Sequence, residues 1–296
     1  MQYQAAAKDL DSKFGRTSDV GHLADSAQSL ERAIHMLPDK SKKEQIILKD
    51  NLCTKLGRLA EATGSSAAIS EALAINVECR EAAEQLPIQD RPMVLAGTLL
   101  HAGILLKMRA LRDRTYPDLD QAISHCERAL QVLKSQSGQR AEAMQVAVTN
   151  EMTAALTRRF WTLGGSKDDA EEAVRLCETV TLRDYTTHGV LCEALLARYH
   201  ATRSPDDLHR AFVHGAEAVL QADKSDLRYA EYLTLLADIY MHGYENYVRR
   251  PNLRFIRTTA RRCNHRSRTV VVIVVIVVIV VIVVIVVIVV IVVIVV

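Results

Sequence analysis

Turn-forming residues and rings are scarce in this sequence: 296 residues hold 6 prolines and 12 glycines, and aromatics make up 5%. That composition excludes collagen-like and loop-rich chains, and it argues against a β-sandwich, which needs frequent turn residues. Catalytic signatures are missing as well. There is no nucleophile elbow, zinc-protease motif, phosphate loop or dinucleotide fingerprint. The six cysteines (Cys53, Cys79, Cys126, Cys177, Cys192, Cys263) include no C-x-x-C pair. Five of them fall in helical patterns, where a thiol serves as a small core hydrophobe. Met1 to Lys8 runs into polar, helix-forming residues rather than a signal peptide, so the expected location is the reducing cytoplasm.

A basic surface is missing too. The formal charge is +2, but residues 249–268 carry eight arginines and no acid. Setting those eight aside leaves the rest of the chain at −6. No electrostatic case for nucleic acid survives.

What is present is alanine and leucine at helical spacing. A short pattern also recurs, in which a helix end leads through a polar turn into a new helix. It reads Phe14 to Asp19, Ala60 to Ser65, Arg112 to Asp118, Phe160 to Ser166 and Tyr199 to Asp206. The threonine-equivalent positions are 17, 63, 115, 163 and 202, at spacings of 46, 52, 48 and 39. Leu119, Ala122, Ile123, Cys126 and Ala129 give one apolar stripe, as do Leu23, Ala27, Leu30 and Ala33. Ser166 to Asp169 resembles a capping box; Ser204, Pro205, Asp206 and Asp207 read as cap, N1 proline and early acids.

The expected fold class is all-α, an α-solenoid of antiparallel helix pairs with a low-complexity Val/Ile C-terminal tail. The A helices are predicted at 4–16, 42–62, 90–113, 139–162, 186–202 and 227–243. The B helices are predicted at 20–37, 66–86, 118–134, 167–182 and 205–222. Turn chemistry at Pro38, Pro87 to Pro92 and Ser135 to Gly138 separates successive pairs. One pair cannot bury its own apolar face, so neighbours must stack. The domains then run 1–246 for about five and a half repeats, 247–269 for an Arg-rich linker and 270–296 for the tail. The last A helix has no B partner, which leaves Tyr232, Leu235 and Leu236 expected to lack a cover.

Arg159-Phe160 through Gly164, and Asp118-Leu119 through Ala122-Ile123, resemble the long tetratricopeptide (TPR) arrays of filamentous fungi. There helix A ends near R-F-x-x-T-G-D and helix B begins D-L-x-x-A-I. The resemblance covers roughly residues 8–243, and this sequence departs from the pattern at Ala60, Arg112 and Leu163. It implies a TPR-like superhelix whose A helices line a groove for a protein or peptide ligand. By that resemblance Asn51, Lys55, Arg58, Lys107, Asn150, Arg158, Arg159 and Arg198 are the groove contacts. Lys55, Arg58, Arg158 and Arg159 then favour an acidic segment. Arrays of this kind often precede a caspase-like CHAT peptidase domain, whose His/Cys pair has no match here. A HEAT-like solenoid, with its ~40–47-residue repeat, is the rival fold.

Other candidates reduce to structure. Gly164-Gly165 reads as a helix-terminating turn, because no lysine-serine pair follows a strand. His125 and Cys126 are adjacent on a helix and so point apart, which makes them a surface histidine and a core thiol. Cys263 and His265 are too few for a zinc site. Asp168-Asp169 and Asp206-Asp207 are helix-dipole and capping residues. No cofactor or metal is expected.

From Val270 to Val296 only Val and Ile occur, with isoleucine at every third position from 273 to 294. That period fits neither a helix face nor a strand face. It is read as a membrane tail anchor beside a cytosolic arginine block, as an aggregation-prone run, or as simple sequence and not an evolved segment. The functional expectation is a non-catalytic adaptor. The alternatives are the same adaptor tethered to a membrane by the tail, or the regulatory half of a longer CHAT-type peptidase protein.

Overall fold

The structure, a computed structural model, describes residues 9, 20–36, 42–162, 164, 166–181, 184–224 and 226–248. The predicted helix 4–16 (Asp9 apart), the turn at Phe14 and Thr17, the Pro38 connector, the arginine block, Cys263, His265 and the Val/Ile tail lie outside those residues. Ten helices and no strand occupy the described residues. They are α1 (Val20–His35), α2 (Lys42–Thr63), α3 (Ser66–Glu84), α4 (Arg91–Asp113) and α5 (Pro117–Leu133). Then follow α6 (Gln139–Thr162), α7 (Lys167–Thr179), α8 (Tyr185–Thr202), α9 (Pro205–Gln221) and α10 (Leu227–Val248).

The chain divides into two compact units, one ending at Val180 and one beginning at Thr181. Within each unit consecutive helices pack on each other as hairpins, the arrangement of an all-α solenoid. In the first unit the A helices α2, α4 and α6 also pack side by side. Their approach is close: a Cβ added at Gly57 of α2 would lie 3.2 Å from Leu105 Cδ2 of α4. The B helices α3 and α5 meet through long polar side chains instead, Arg80 with His125 at 3.2 Å and Arg128 with Glu84. Tight A contacts and wide B contacts curve this unit toward its A side. Helix α4 is long and apolar enough to span a membrane, but 61% of that stretch is buried, as in the central helix of a core.

Four A helices, α2, α4, α6 and α8, close on a left-handed residue: Gly64 (φ 70°), Arg114 (φ 55°), Gly164 (φ 89°) and Arg203 (φ 58°). Proline then opens α5 and α9 within their first turn. Ser65 caps α3, with Ala68 N–H donating to its Oγ, and Asp184 caps α8 through Thr187 N–H at 2.8 Å. The capping box read at Ser166 does not form. Ser166 sits at the N-cap without a cap hydrogen bond, and the Asp169 carboxylate turns to Arg159 instead. Ser204 likewise makes no side-chain cap bond.

That turn of Asp169 is one of three equivalent clamps. Arg109 makes two parallel bonds to Asp118, at 2.7 and 2.8 Å. Arg159 binds Asp169 at 3.0 and 2.6 Å, and Arg198 binds Asp207 at 3.0 and 2.5 Å. In each case a guanidinium near the end of an A helix grips a carboxylate in the first turn of the next B helix. The carboxylate also meets that helix's positive end. Where α2 turns into α3 no acid is available, and Arg112 of the following A helix reaches back to the Gly64 carbonyl and Ser66 Oγ.

In the second unit the residues expected to lack a cover are packed. Tyr232 is 6% exposed, Leu236 is fully buried and Leu235 is half-buried. They lie on the face of α10 that turns back to its own hairpin partners. A Cβ added at Gly189 of α8 would fall 2.2 Å from Tyr232 Cε1, and one at Gly215 of α9 2.8 Å from Leu236 Cδ2. The expected cysteine roles hold: Cys53, Cys79, Cys126, Cys177 and Cys192 are all buried. His125 is half-buried rather than on the surface. Burial, then the charges of Arg80 and Arg128, push it down to about 4.

Two outcomes follow from this packing. Gly189→Ala should destabilise the protein by about 1–3 kcal/mol, because a buried ring must move; most of that cost should vanish in a Tyr232→Ala background, measured by urea unfolding. The Arg109 hydrogen bond holds Asp118 below its ordinary 3.8, overcoming burial. Its stabilisation is therefore present above pH ~4 and lost as pH falls through the depressed value. Asp118→Asn should cost about 1–3 kcal/mol at pH 7, with the gap from the parent narrowing below pH 4.

Candidate functional site

The A side of the first unit carries the side chains that point away from the core. Along α2 the sequence period of three to four brings Ile47, Asn51, Thr54 and Arg58 to one face, with Lys55 beside it. On α4 the same period gives His101, Ile104, Met108 and Leu111. On α6 it gives Ala147, Glu151, Ala154, Arg158 and Trp161. These three rows lie on adjacent helices.

A cleft of about 120 Å³ opens between α2 and α4. Cys53, Gly57 and Leu105 form its floor, Ile104 and Met108 one wall, Thr54 and His101 its polar end, and Arg58 and Glu61 its remaining lining. Gly57 keeps the floor open, since any larger residue would press on Leu105. The volume suits one aliphatic side chain.

His101 is tied across the helix seam. Its Nδ1 stands 2.8 Å from Asp50 Oδ2, and its Nε2 3.4 Å from Thr54 Oγ1. Burial alone lowers a histidine, but the Asp50 hydrogen bond and charge, with Glu151 behind them, outweigh it and raise His101 above its ordinary value of 6.5. Thr54 Oγ1 donates to its own helix at the Asp50 carbonyl, 3.2 Å away. The order hydroxyl, imidazole, carboxylate therefore does not make an activated nucleophile. The hydroxyl is already committed to the backbone, and its contact with the imidazole is long at 3.4 Å. His101 is thus an anchored imidazole, paired with Asp50, at the polar end of an apolar cleft.

The eight expected contacts divide. Asn51 and Arg158 are exposed on the A face, and Lys55 and Arg58 are half-exposed there. Lys107 also lies on α4, where it pairs with Glu151 of α6 at 2.8 Å and bridges two repeats. Asn150 is buried, at 7% exposure, inside α6's packing face. Arg159 and Arg198 are clamp residues; Arg159 also reaches Asp120 of α5 at 2.6 Å. Charge partners raise Arg159, with the Asp169 hydrogen bond the largest cause. Arg198 belongs to the second unit.

Sequence reasoning missed Asp50, Thr54, His101 and the apolar members Ile104, Met108 and Trp161. A signal existed: Asp50 and His101 are separated by about one repeat, so they occupy matching heights on neighbouring A helices.

The histidine assignment has a direct check. A nuclear magnetic resonance titration of the ring should give His101 a midpoint above 6.5, and Asp50→Asn should lower it, because burial is then opposed by the Glu151 charge alone. The stabilisation from His101 is accordingly present below pH ~6.5 and lost as pH rises through the raised value. No protein-family model, no curated protein and no solved structure matches this chain.

Proposed function

We propose that the protein is a non-catalytic interaction module of the tetratricopeptide type, which binds an acidic protein segment along the A face of its first unit. One observation carries this reading: an open cleft between stacked A helices, with apolar walls and a lining that also holds His101, Arg58 and Glu61. His101 and Arg58 flank the cleft itself, and Lys55 and Arg158 lie on the same face. Around this face the chain outside residues 249–268 is net acidic. A cationic strip on an acidic body selects acidic partners and speeds their encounter, while like-charged segments are repelled.

The recognition element is then an apolar side chain for the cleft, flanked by Asp or Glu. Trp161 and Leu111, each 43% exposed, extend the apolar contact on α6 and α4. Aromatic residues of this kind supply contact area at small entropic cost.

The test is selection from a displayed peptide library followed by titration. Peptides with an aliphatic residue between acids should emerge, with affinity that falls as salt rises. The triple reversal Lys55→Glu, Arg58→Glu, Arg158→Glu should weaken binding at least about tenfold. Ile88→Asp, at an exposed turn off this face, should leave it unchanged. Binding that ignores the triple reversal would remove the A face as the site.

A further inference from the structure

The second unit holds four of its histidines in two pairs. His188 Nδ1 on α8 lies 2.9 Å from His214 Nδ1 on α9. His200 Nε2 on α8 lies 3.2 Å from His242 Nε2 on α10. Neither pair takes part in the face described above. The second pair has the stronger geometry. It joins two helices that otherwise touch sparingly, and it does so through Nε2, the ring nitrogen farthest from the backbone. The rings meet edge to face, with centroids 4.5 Å apart and planes at 83°.

Two imidazole nitrogens bound to one zinc ion, each about 2.0–2.1 Å from it, sit roughly 3.3 Å apart at the tetrahedral angle and roughly 2.9 Å apart at a right angle. The observed 3.2 Å falls inside that range. Both rings are half-buried, so an ion has access while the helices keep the rings in place. The buried Tyr199 ring packs against both histidines and limits their rotation.

We propose that His200 and His242 form a two-imidazole site for a borderline divalent transition-metal ion of the zinc(II), copper(II) or nickel(II) class, whose capture staples α10 to α8. In the ion-free pair one ring donates its Nε2 hydrogen to the other. Binding moves that hydrogen to Nδ1 of the same ring, a change of tautomer with no net proton loss. Arg203, stacked over Tyr199 at 5.7 Å, faces the pair and opposes a second positive charge. Among the described residues no three metal-ligating side chains converge, so this pair supplies two ligands. Both features set an affinity well below that of a structural zinc site.

The experiment is a zinc chloride titration of the full-length chain in mild detergent, followed by calorimetry at pH 7.5. The parent should bind one equivalent that the double variant His200→Gln, His242→Gln loses, while His188→Gln, His214→Gln keeps it. At pH 5.5 the affinity should fall at least tenfold, and zinc should raise the unfolding temperature of the parent alone. Should the double variant fail to fold, ring resonances of the unmutated chain decide. Zinc must shift the His200 and His242 signals together. A parent that binds no zinc, a double variant that binds as the parent does, or ring shifts elsewhere but not at this pair would overturn the proposal.

Discussion

The interaction on which the rest depends is the two-pronged grip of an A-helix arginine on a carboxylate at the start of the next B helix. A helix hairpin joined by two to four residues has many nearly equal crossing angles, and apolar stripes alone choose weakly among them. A guanidinium bonded twice to a carboxylate fixes both distance and orientation. Arg109–Asp118, Arg159–Asp169 and Arg198–Asp207 repeat this at three turns. The fourth, between α2 and α3, has alanine where the others have the acid, and Arg112 arrives from the next repeat to hold it. So every A-to-B turn among the described residues is held by one arginine, and only its donor helix varies.

With the hairpins fixed, curvature follows from side-chain size. Small residues on the A helices, among them Gly57 and Gly97, let neighbours approach until even a Cβ at Gly97 would touch Asp50 and Met144. Arg80, Glu84, His125 and Arg128 hold the B helices farther apart. The same close approach on the A side brings charges from successive repeats into contact and leaves the cleft beside them. The candidate site is in this sense a consequence of the packing and not an addition to it.

Most of the architecture could be read in advance. Helix bounds expected from apolar period and turn residues match those observed within a few residues, because caps, prolines and left-handed turns are local properties. The repeat spacing also foretells the cross-repeat contacts: Thr54 to His101, Arg80 to His125 and Lys107 to Glu151 each span 44 to 47 residues. Pairing was harder. Asp169 and Asp207 were legible as residues of helix starts, and Arg159 and Arg198 as polar residues on A helices. That the two sets are the halves of one clamp depends on which way each arginine leaves its helix. Tyr232 posed a similar problem, since period alone shows a stripe but not which neighbour covers it.

One helical step decides between the roles. Arg158 and Arg159 are adjacent, and each step along a helix turns the side chain by about 100°. Arg158 therefore joins Ala154 and Trp161 on the open face, while Arg159 swings toward α7 and is taken up by Asp169. The same rotation separates Lys107, which faces Glu151 across the A layer, from Arg109, which faces Asp118. Arginines spent on clamps are charge-neutralised and conformationally fixed, so they lend little potential to the groove. The basic side chains that remain on the A face are Lys55, Arg58 and Arg158. Because His101 is bonded to Asp50 on the neighbouring helix, its raised proton affinity depends on the same A-to-A packing that shapes the cleft.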